Sequence, residues 1–306
     1  MNTPPREVNG TAVRSVEWTT FALIVACYGL WAAVLFWLPF GSVVLSTLVL
    51  GLLIALHASL THEVLHGHPF PKQSLNNALM FLPLNLAIPY HRFRDLHLAH
   101  HRDSNLTDPY DDPETNYLDP EVWNNMAQWK RWLFQFNNTL LGRVTIGAAI
   151  GQMVFYRDEW RGALRGDCDI LRAWALHVPG MAVVIALVLV SPMPVLAYLV
   201  AAYFALSILK IRTFLEHQAH EKVRGRTVII EDRGPLAFMF LNNNLHVVHH
   251  MNPNAPWYVL PALYRKGRER YLACNEGYVY KSYGEVFRRY FLSAKDPVPH
   301  PLWRRD

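Results

Sequence analysis

TTFALIVACYGLWAAVLFWLPFGSVVLSTLVLGLLIAL, residues 19–56, contains no Asp, Glu, Lys or Arg. Pro39 and Gly41 interrupt it near the middle. Each half is about 20 residues long, enough to cross the roughly 30 Å hydrocarbon core of a bilayer as a helix. The stretch therefore reads as two membrane-spanning helices, about 19–38 and 42–60, joined by a tight turn. The pattern returns at residues 173–209, which again lack Asp, Glu, Lys and Arg, with Ser191-Pro192-Met193-Pro194 as the turn. That second hairpin gives spans at about 173–190 and 194–211. Buried helices of a soluble protein are the competing reading, but uncharged helical hairpins of this length are rare outside membranes.

Composition agrees. Of 306 residues, 52% are hydrophobic and 17% charged, where a soluble domain carries about 25% charged residues. The formal net charge of +5 reads as Lys and Arg flanking the spans on the cytoplasmic face, not as a nucleic-acid surface. Both hairpin turns are uncharged, so the positive-inside rule places the termini and the polar segments 61–172 and 212–306 in the cytoplasm. No signal peptide is expected: a polar segment with Arg6 and Arg14 precedes the first apolar run, which is too long for a signal sequence. The stretch Thr139–Tyr156 is apolar but holds Arg143 and Gln152, and reads as an interfacial or re-entrant helix. Cys27, Cys168 and Cys274 are isolated, which argues against a disulfide framework, a rubredoxin-like site or an iron–sulfur cluster. The fold expected is one all-α integral-membrane domain over residues 1–306. Four transmembrane helices in two hairpins would carry a cytoplasmic helical cap holding a di-metal site.

The chain has 15 histidines, and eight fall into three tight groups. These are His62 and His66 in HEVLH, His97, His100 and His101 in HLAHH, and His246, His249 and His250 in HVVHH. On a helix, residues three and four apart share a face, so each group can point several imidazoles at one place. H-x-x-H-H, used twice, lets one helical turn serve two neighbouring metals. Eight imidazoles exceed the needs of one ion, since even a closed zinc site takes four ligands. Imidazole suits Zn, Cu, Fe and Ni. Two irons with open positions fit best, because such a pair can reduce O2 and attack a C–H bond. Beyond the metal ligands no separate catalytic residue is expected. HEVLH also fits the zinc-protease motif with Glu63 as general base, which leaves both H-x-x-H-H groups unexplained. A metal transporter is a further alternative. It sits poorly with spans almost free of ionisable groups.

HEVLHGH at 62–68, HLAHHRDSNLTDPYDDP at 97–113 and NNNLHVVHHMNP at 242–253 resemble the histidine boxes of the membrane fatty-acid desaturase family, which includes hydroxylases and carotenoid oxygenases. The resemblance covers most of the chain. It implies a di-iron centre of two Fe2+ ions held by the eight box histidines. It further implies an O2-dependent desaturase placing a double bond in a lipid or fatty-acyl chain, or a lipid or carotenoid hydroxylase or ketolase. A ninth ligand is implied after the fourth span, where His217 is the choice and His220 the alternative. Asn242, Asn243 and Asn244 are candidates for a water-bridged contact. Carboxylates often orient metal-bound imidazoles, and Asp103, Asp108, Asp111 and Asp112 follow the second box, where a solvated loop is the plainer reading. His57, His68, His91 and His177 read as packing or supporting residues, and His300, in a Pro-rich tail, has no evident role. No fused haem, flavin or iron–sulfur motif is present. Electrons would come from a separate ferredoxin or cytochrome b5 type donor, for which Arg224, Arg226, Lys266, Arg268 and Arg270 offer a basic dock or merely inside-positive charge. The expected location is a bacterial cytoplasmic (inner) membrane, with the active site on its cytoplasmic face.

Overall fold

A computed structural model describes residues 15–102 and 105–303. Arg6, Arg14 and Asp103 lie outside the described residues. Helix α1 (Trp18–Trp37) turns through Leu38–Phe40 into α2 (Val43–Leu65), and Ser42 caps α2 by accepting the Leu45 N–H at 3.2 Å. The short helices α3 (Gln73–Leu79), α4 (Tyr90–Arg102), α5 (Pro120–Asn124), α6 (Gln128–Asn137) and α7 (Leu140–Thr145) follow, then α8 (Gly147–Leu164). The second hairpin is α9 (Cys168–Val190) and α10 (Val195–Thr213). Beyond it come β1 (Ile229–Ile230), α11 (Pro235–Met239), α12 (His246–Met251), α13 (Leu260–Cys274), β2 (Val279–Tyr280) and α14 (Tyr283–Tyr290). β1 and β2 pair in parallel, Ile229 with Val279 and Ile230 with Tyr280.

The protein is mainly helical, as expected. Among the described residues, four helices are long and apolar enough to cross a membrane: Trp18–Phe40, Val43–Leu65, Cys168–Val190 and Val195–Thr213. Helix α2 runs past residue 60 because the first histidine box continues the same helix. On α1, Ile24, Cys27, Trp31 and Leu35 recur at helical spacing and are buried, while Val25 and Leu30 face outward. The most extensive pairing is α2 with α10, where Gly51 lets the Phe204 ring approach: a Cβ there would stand 2.4 Å from it. The apolar stretch Thr139–Tyr156 forms two helices instead of one. The chain bends at Ile146, and α8 runs on to Leu164. Gly142 and Gly147 allow the fold-back, since a Cβ at Gly147 would meet the Asn137 side chain at 2.7 Å.

Between α3 and α4 the chain from Met80 to Pro89 has no regular structure, yet it lies among the long helices. Its carbonyls are bonded by side chains from all around it. Tyr28 of α1 donates to Leu82 at 3.3 Å and Tyr198 of α10 to Leu84 at 2.8 Å. His177 of α9 donates to Leu86 at 3.1 Å, and Gln152 and Tyr156 of α8 donate to Ala87 at 3.2 and 3.0 Å. Gly180 makes room for the Phe81 carbonyl, which a Cβ would meet at 2.0 Å. Tyr28 stands about 15 Å along α1 from its first residue at 1.5 Å per residue, so the segment is re-entrant. Irregular backbone at such depth is tolerated only when protein groups satisfy it, and here they do.

Candidate metal centre

Helix α2 ends in a turn carrying His62 and His66, α4 carries His97, His100 and His101, and α12 carries His246, His249 and His250. His217 follows the end of α10. All four segments meet at the end of the bundle opposite the two hairpin turns. Apolar packing aims α12: Val247 and Val248 sit with Leu260, Tyr264 and Tyr271 of α13 in one buried cluster. That leaves the histidine face of α12 turned toward α2 and α4.

The nine imidazoles divide into two groups that could each hold a metal ion. One contains His62, His66, His97, His101 and His249; the other contains His100, His217, His246 and His250; ligand atoms within a group lie within 4.8 Å of one another. The division follows helix geometry. The i,i+4 pairs His97/His101 and His246/His250 each stay in one group, while the middle residues His100 and His249 cross to the other. The His101 and His250 rings stack at 4.2 Å and join the groups. His217 completes the second group, whereas His220 stands apart and meets Glu276 at 3.4 Å.

Within the groups, Nε2 atoms face one another: His97 meets His66 at 3.2 Å and His101 at 3.0 Å, and His249 meets His101 at 3.1 Å. In the second group, His217 meets His100 at 2.9 Å and His246 at 3.2 Å, and His250 meets His246 at 3.2 Å. The opposite ring nitrogens are already engaged. Nδ1 of His97 donates to Glu114 at 2.8 Å, Nδ1 of His100 to Asp112 at 2.8 Å and Nδ1 of His246 to Asn243 Oδ1 at 3.0 Å. A neutral imidazole that donates from Nδ1 presents a lone pair at Nε2. Two facing lone pairs repel unless a cation lies between them, and metal–nitrogen bonds of about 2.1 Å at right angles bring ligand atoms about 3 Å apart. Nε2 of His62 is buried with no hydrogen-bond partner among the described residues. The donor set thus fits two metal ions, with imidazole as the ligand type in both groups.

Electrostatics agrees. Burial first, then neighbouring imidazoles, holds His66, His249 and His250 well below the usual histidine range. The same causes bring His101 to about 3. His217 and His246 are lowered likewise. Neutral imidazole is the ligating form. His100 differs: burial opposes its charge, but the Asp112 hydrogen bond and the fields of Glu114 and Asp112 outweigh burial and lift it to about 9. A metal ion held by that Nε2 would compete with the proton. Burial alone would raise Glu114, yet the His97 and His100 imidazoles hold it well below the usual carboxylate range.

The supporting residues are only partly those expected from sequence. Of the acidic string, Asp112 reaches the site; besides His100 it accepts the Thr107 and Glu114 N–H groups at 2.8 and 2.9 Å. Asp108 instead forms a turn with Tyr110 and bonds Trp303, and Asp111 accepts from Asn105. Glu114, one residue past the quoted motif, was missed. Asn243 holds His246, while Asn242 and Asn244 donate to backbone carbonyls. Asn243 also donates to Glu216 at 3.3 Å, and Glu216 forms a buried ion pair with Arg212 at 3.1 Å. His300 has a role after all: it is buried, its ring Nε2 contacts the Thr107 hydroxyl at 3.1 Å, and its backbone N–H donates to the Leu118 carbonyl at 2.8 Å. It thereby pins the loop that delivers Asp112 and Glu114. Glu63 does not enter either group; its carboxylate accepts the Trp257 N–H at 3.1 Å, so it lacks the place a protease base requires. Of the basic residues noted in the sequence, Arg226 donates to the His220 carbonyl at 2.8 Å and Arg268 pairs with Glu231 at 2.6 Å.

A family model described as fatty acid desaturase matches residues 40–283, which includes all nine histidines. No curated protein matches the chain.

Proposed function

The chain belongs to the fatty acid desaturase family, and on that premise we propose that it is an O2-dependent di-iron desaturase acting on a lipid fatty-acyl chain. The observation that carries this reading is the pair of imidazole groups whose Nε2 lone pairs converge while carboxylate and amide partners hold Nδ1. We assign one Fe2+ to His62, His66, His97, His101 and His249, and one to His100, His217, His246 and His250. Bound iron would supply what no side chain can, the activation of O2 for removing hydrogen from an unactivated methylene.

The chain's own residues bind and orient. Glu114, Asp112 and Asn243 fix the ring planes and the tautomer of His97, His100 and His246, so that Nε2 is the free nitrogen. Burial of His62, His97, His100, His246 and His249 excludes water and keeps side reactions away. The histidines lie at the bundle end opposite the two uncharged hairpin turns, which supports the cytoplasmic face of a bacterial inner membrane and an acyl chain arriving from the bilayer. Desaturation with reduction of O2 to two waters consumes two electrons and two protons beyond those of the substrate. A ferredoxin or cytochrome b5 type donor supplies the electrons.

The test is mass spectrometry of total lipids from cells expressing the chain with a suitable reductase, beside a His249→Ala control. New double bonds made only by the intact chain support desaturation and report its position. New hydroxyl or keto groups would replace it with the hydroxylase or ketolase reading. Lipids identical to the control, in cells whose purified protein holds two irons, would refute a lipid substrate.

A further inference from the structure

Helix α6 turns its apolar side chains outward. Trp129 and Trp132 are 62% and 64% exposed, Leu133 and Phe136 are exposed as well, and α6 buries none of its residues. The four stand at i, i+3, i+4 and i+7, a single stripe along one side of the helix. A soluble surface rarely carries a contiguous aromatic stripe without a partner.

The stripe does not stand alone. Phe136 leads into α7, with its carbonyl against Gly142, and the Leu141 N–H bonds the Phe291 carbonyl at 3.0 Å. Phe291 and Leu292 are exposed too, so apolar surface continues from α6 across this junction. Helix α7 in turn packs on the spanning helix α10, where the Tyr203 hydroxyl donates to the Thr145 carbonyl. On the far side of α7, Met153, Trp160 and Leu164 of α8 form a second outward stripe. Helix α7 thus links α6 to the spanning helix α10, with exposed apolar side chains on α6, at Phe291 and Leu292, and on α8. The Lys130 ammonium lies 5.4 Å from the Trp129 ring, placing a cation beside an indole, as phosphate headgroups and the boundary below them favour.

We propose that α6 lies in the plane of the membrane on the histidine side, with Trp129, Trp132, Leu133 and Phe136 seated at the headgroup–acyl boundary and Lys130 at the phosphates. The occupant of this surface is phospholipid. The cap is thereby held against the bilayer at a second place, away from the four spanning helices. This reading is independent of the reaction catalysed.

The experiment uses the full chain carrying Cys27→Ala, Cys168→Ser and Cys274→Ser, which removes all three native cysteines, reconstituted in phosphatidylethanolamine–phosphatidylglycerol vesicles. Nitroxide labels are placed on single cysteines at Trp129, Trp132, Phe136, Lys130 and Gln135, and collisions with O2 and with a water-soluble nickel chelate are measured. The oxygen-to-nickel ratio is expected to follow the helical period, several-fold higher at 129, 132 and 136 than at 130 and 135. Iron content of each labelled protein confirms that it has folded. Nickel-accessible labels at all five positions would overturn the proposal, since α6 would then be in water. Labels at 129, 132 and 136 shielded from both reagents would overturn it equally, because a protein partner would be the occupant.

Discussion

Replacing Asp112 by Asn should release one iron and spare the other. The Asp112 carboxylate accepts from His100 Nδ1 at 2.8 Å, from Thr107 N at 2.8 Å and from Glu114 N at 2.9 Å, and only 3% of the residue is exposed. Asparagine keeps one oxygen, so its NH2 must face a donor. If it faces Thr107, a buried N–H loses its acceptor, at about 1–3 kcal/mol. If it faces His100, the ring must shift its proton to Nε2 and loses the lone pair aimed at the metal. Loss of a partner behind a metal ligand lowers affinity about 10- to 100-fold, or about 1.4–2.7 kcal/mol at 1.36 kcal/mol per decade. His100 belongs to the four-histidine group, while Glu114 backs His97 in the five-histidine group. Iron per chain, measured after dialysis against rising chelator, should fall for Asp112→Asn to a plateau near one at about 10- to 100-fold less chelator than the parent needs. Glu114→Gln should release the other iron, seen as a complementary change in the Mössbauer doublets. A parental curve for Asp112→Asn, or indistinguishable spectra for the two half-loaded variants, would refute the division of ligands. The melting temperature of the iron-free proteins separates a metal effect from a loop effect.

Other outcomes follow from the same contacts. His217→Ala should lose iron from the four-histidine group and lose desaturation, whereas His220→Ala should keep both, read by iron analysis and product formation. Arg212→Gln should destabilise the protein by about 3–5 kcal/mol, because Glu216 would stay buried without its partner; an unchanged thermal midpoint in detergent would contradict the ion pair. Tyr198→Phe removes the donor to the Leu84 carbonyl and should cost about 1–3 kcal/mol, with iron content retained once the protein is folded.

The spans and the histidine boxes were legible in the sequence because their signals are local: charge-free runs of bilayer length, and imidazoles at helical spacing. His217 was reached only through family resemblance, since a single histidine after a helix carries no spacing of its own. Which box histidine enters which group was not legible, because it depends on how α4 and α12 cross. Glu114 sits in an acidic, Pro-rich stretch that looks solvated, and only the loop's closure by His300 turns it inward. The irregular segment after Met80 escaped notice for a similar reason. Its apolar composition suggests burial, but the donors that make burial possible lie at residues 28, 152, 156, 177 and 198. The stripe of α6 was periodic and readable, yet short and flanked by basic residues.

The re-entrant segment also sets an order of assembly. Its Leu84 carbonyl waits for Tyr198, 114 residues further along the chain, and its Leu86 carbonyl waits for His177, 91 residues on. Until the second hairpin enters the bilayer, both carbonyls would be bare in hydrocarbon, each at a cost of several kcal/mol. The segment therefore takes its native place only after α9 and α10 have joined α1 and α2. Helix α4 starts directly after it, so the second histidine box is held in position only then. The first box, though made early, remains without its counterparts until translation is nearly finished. Both imidazole groups are therefore complete only in a chain whose insertion is finished.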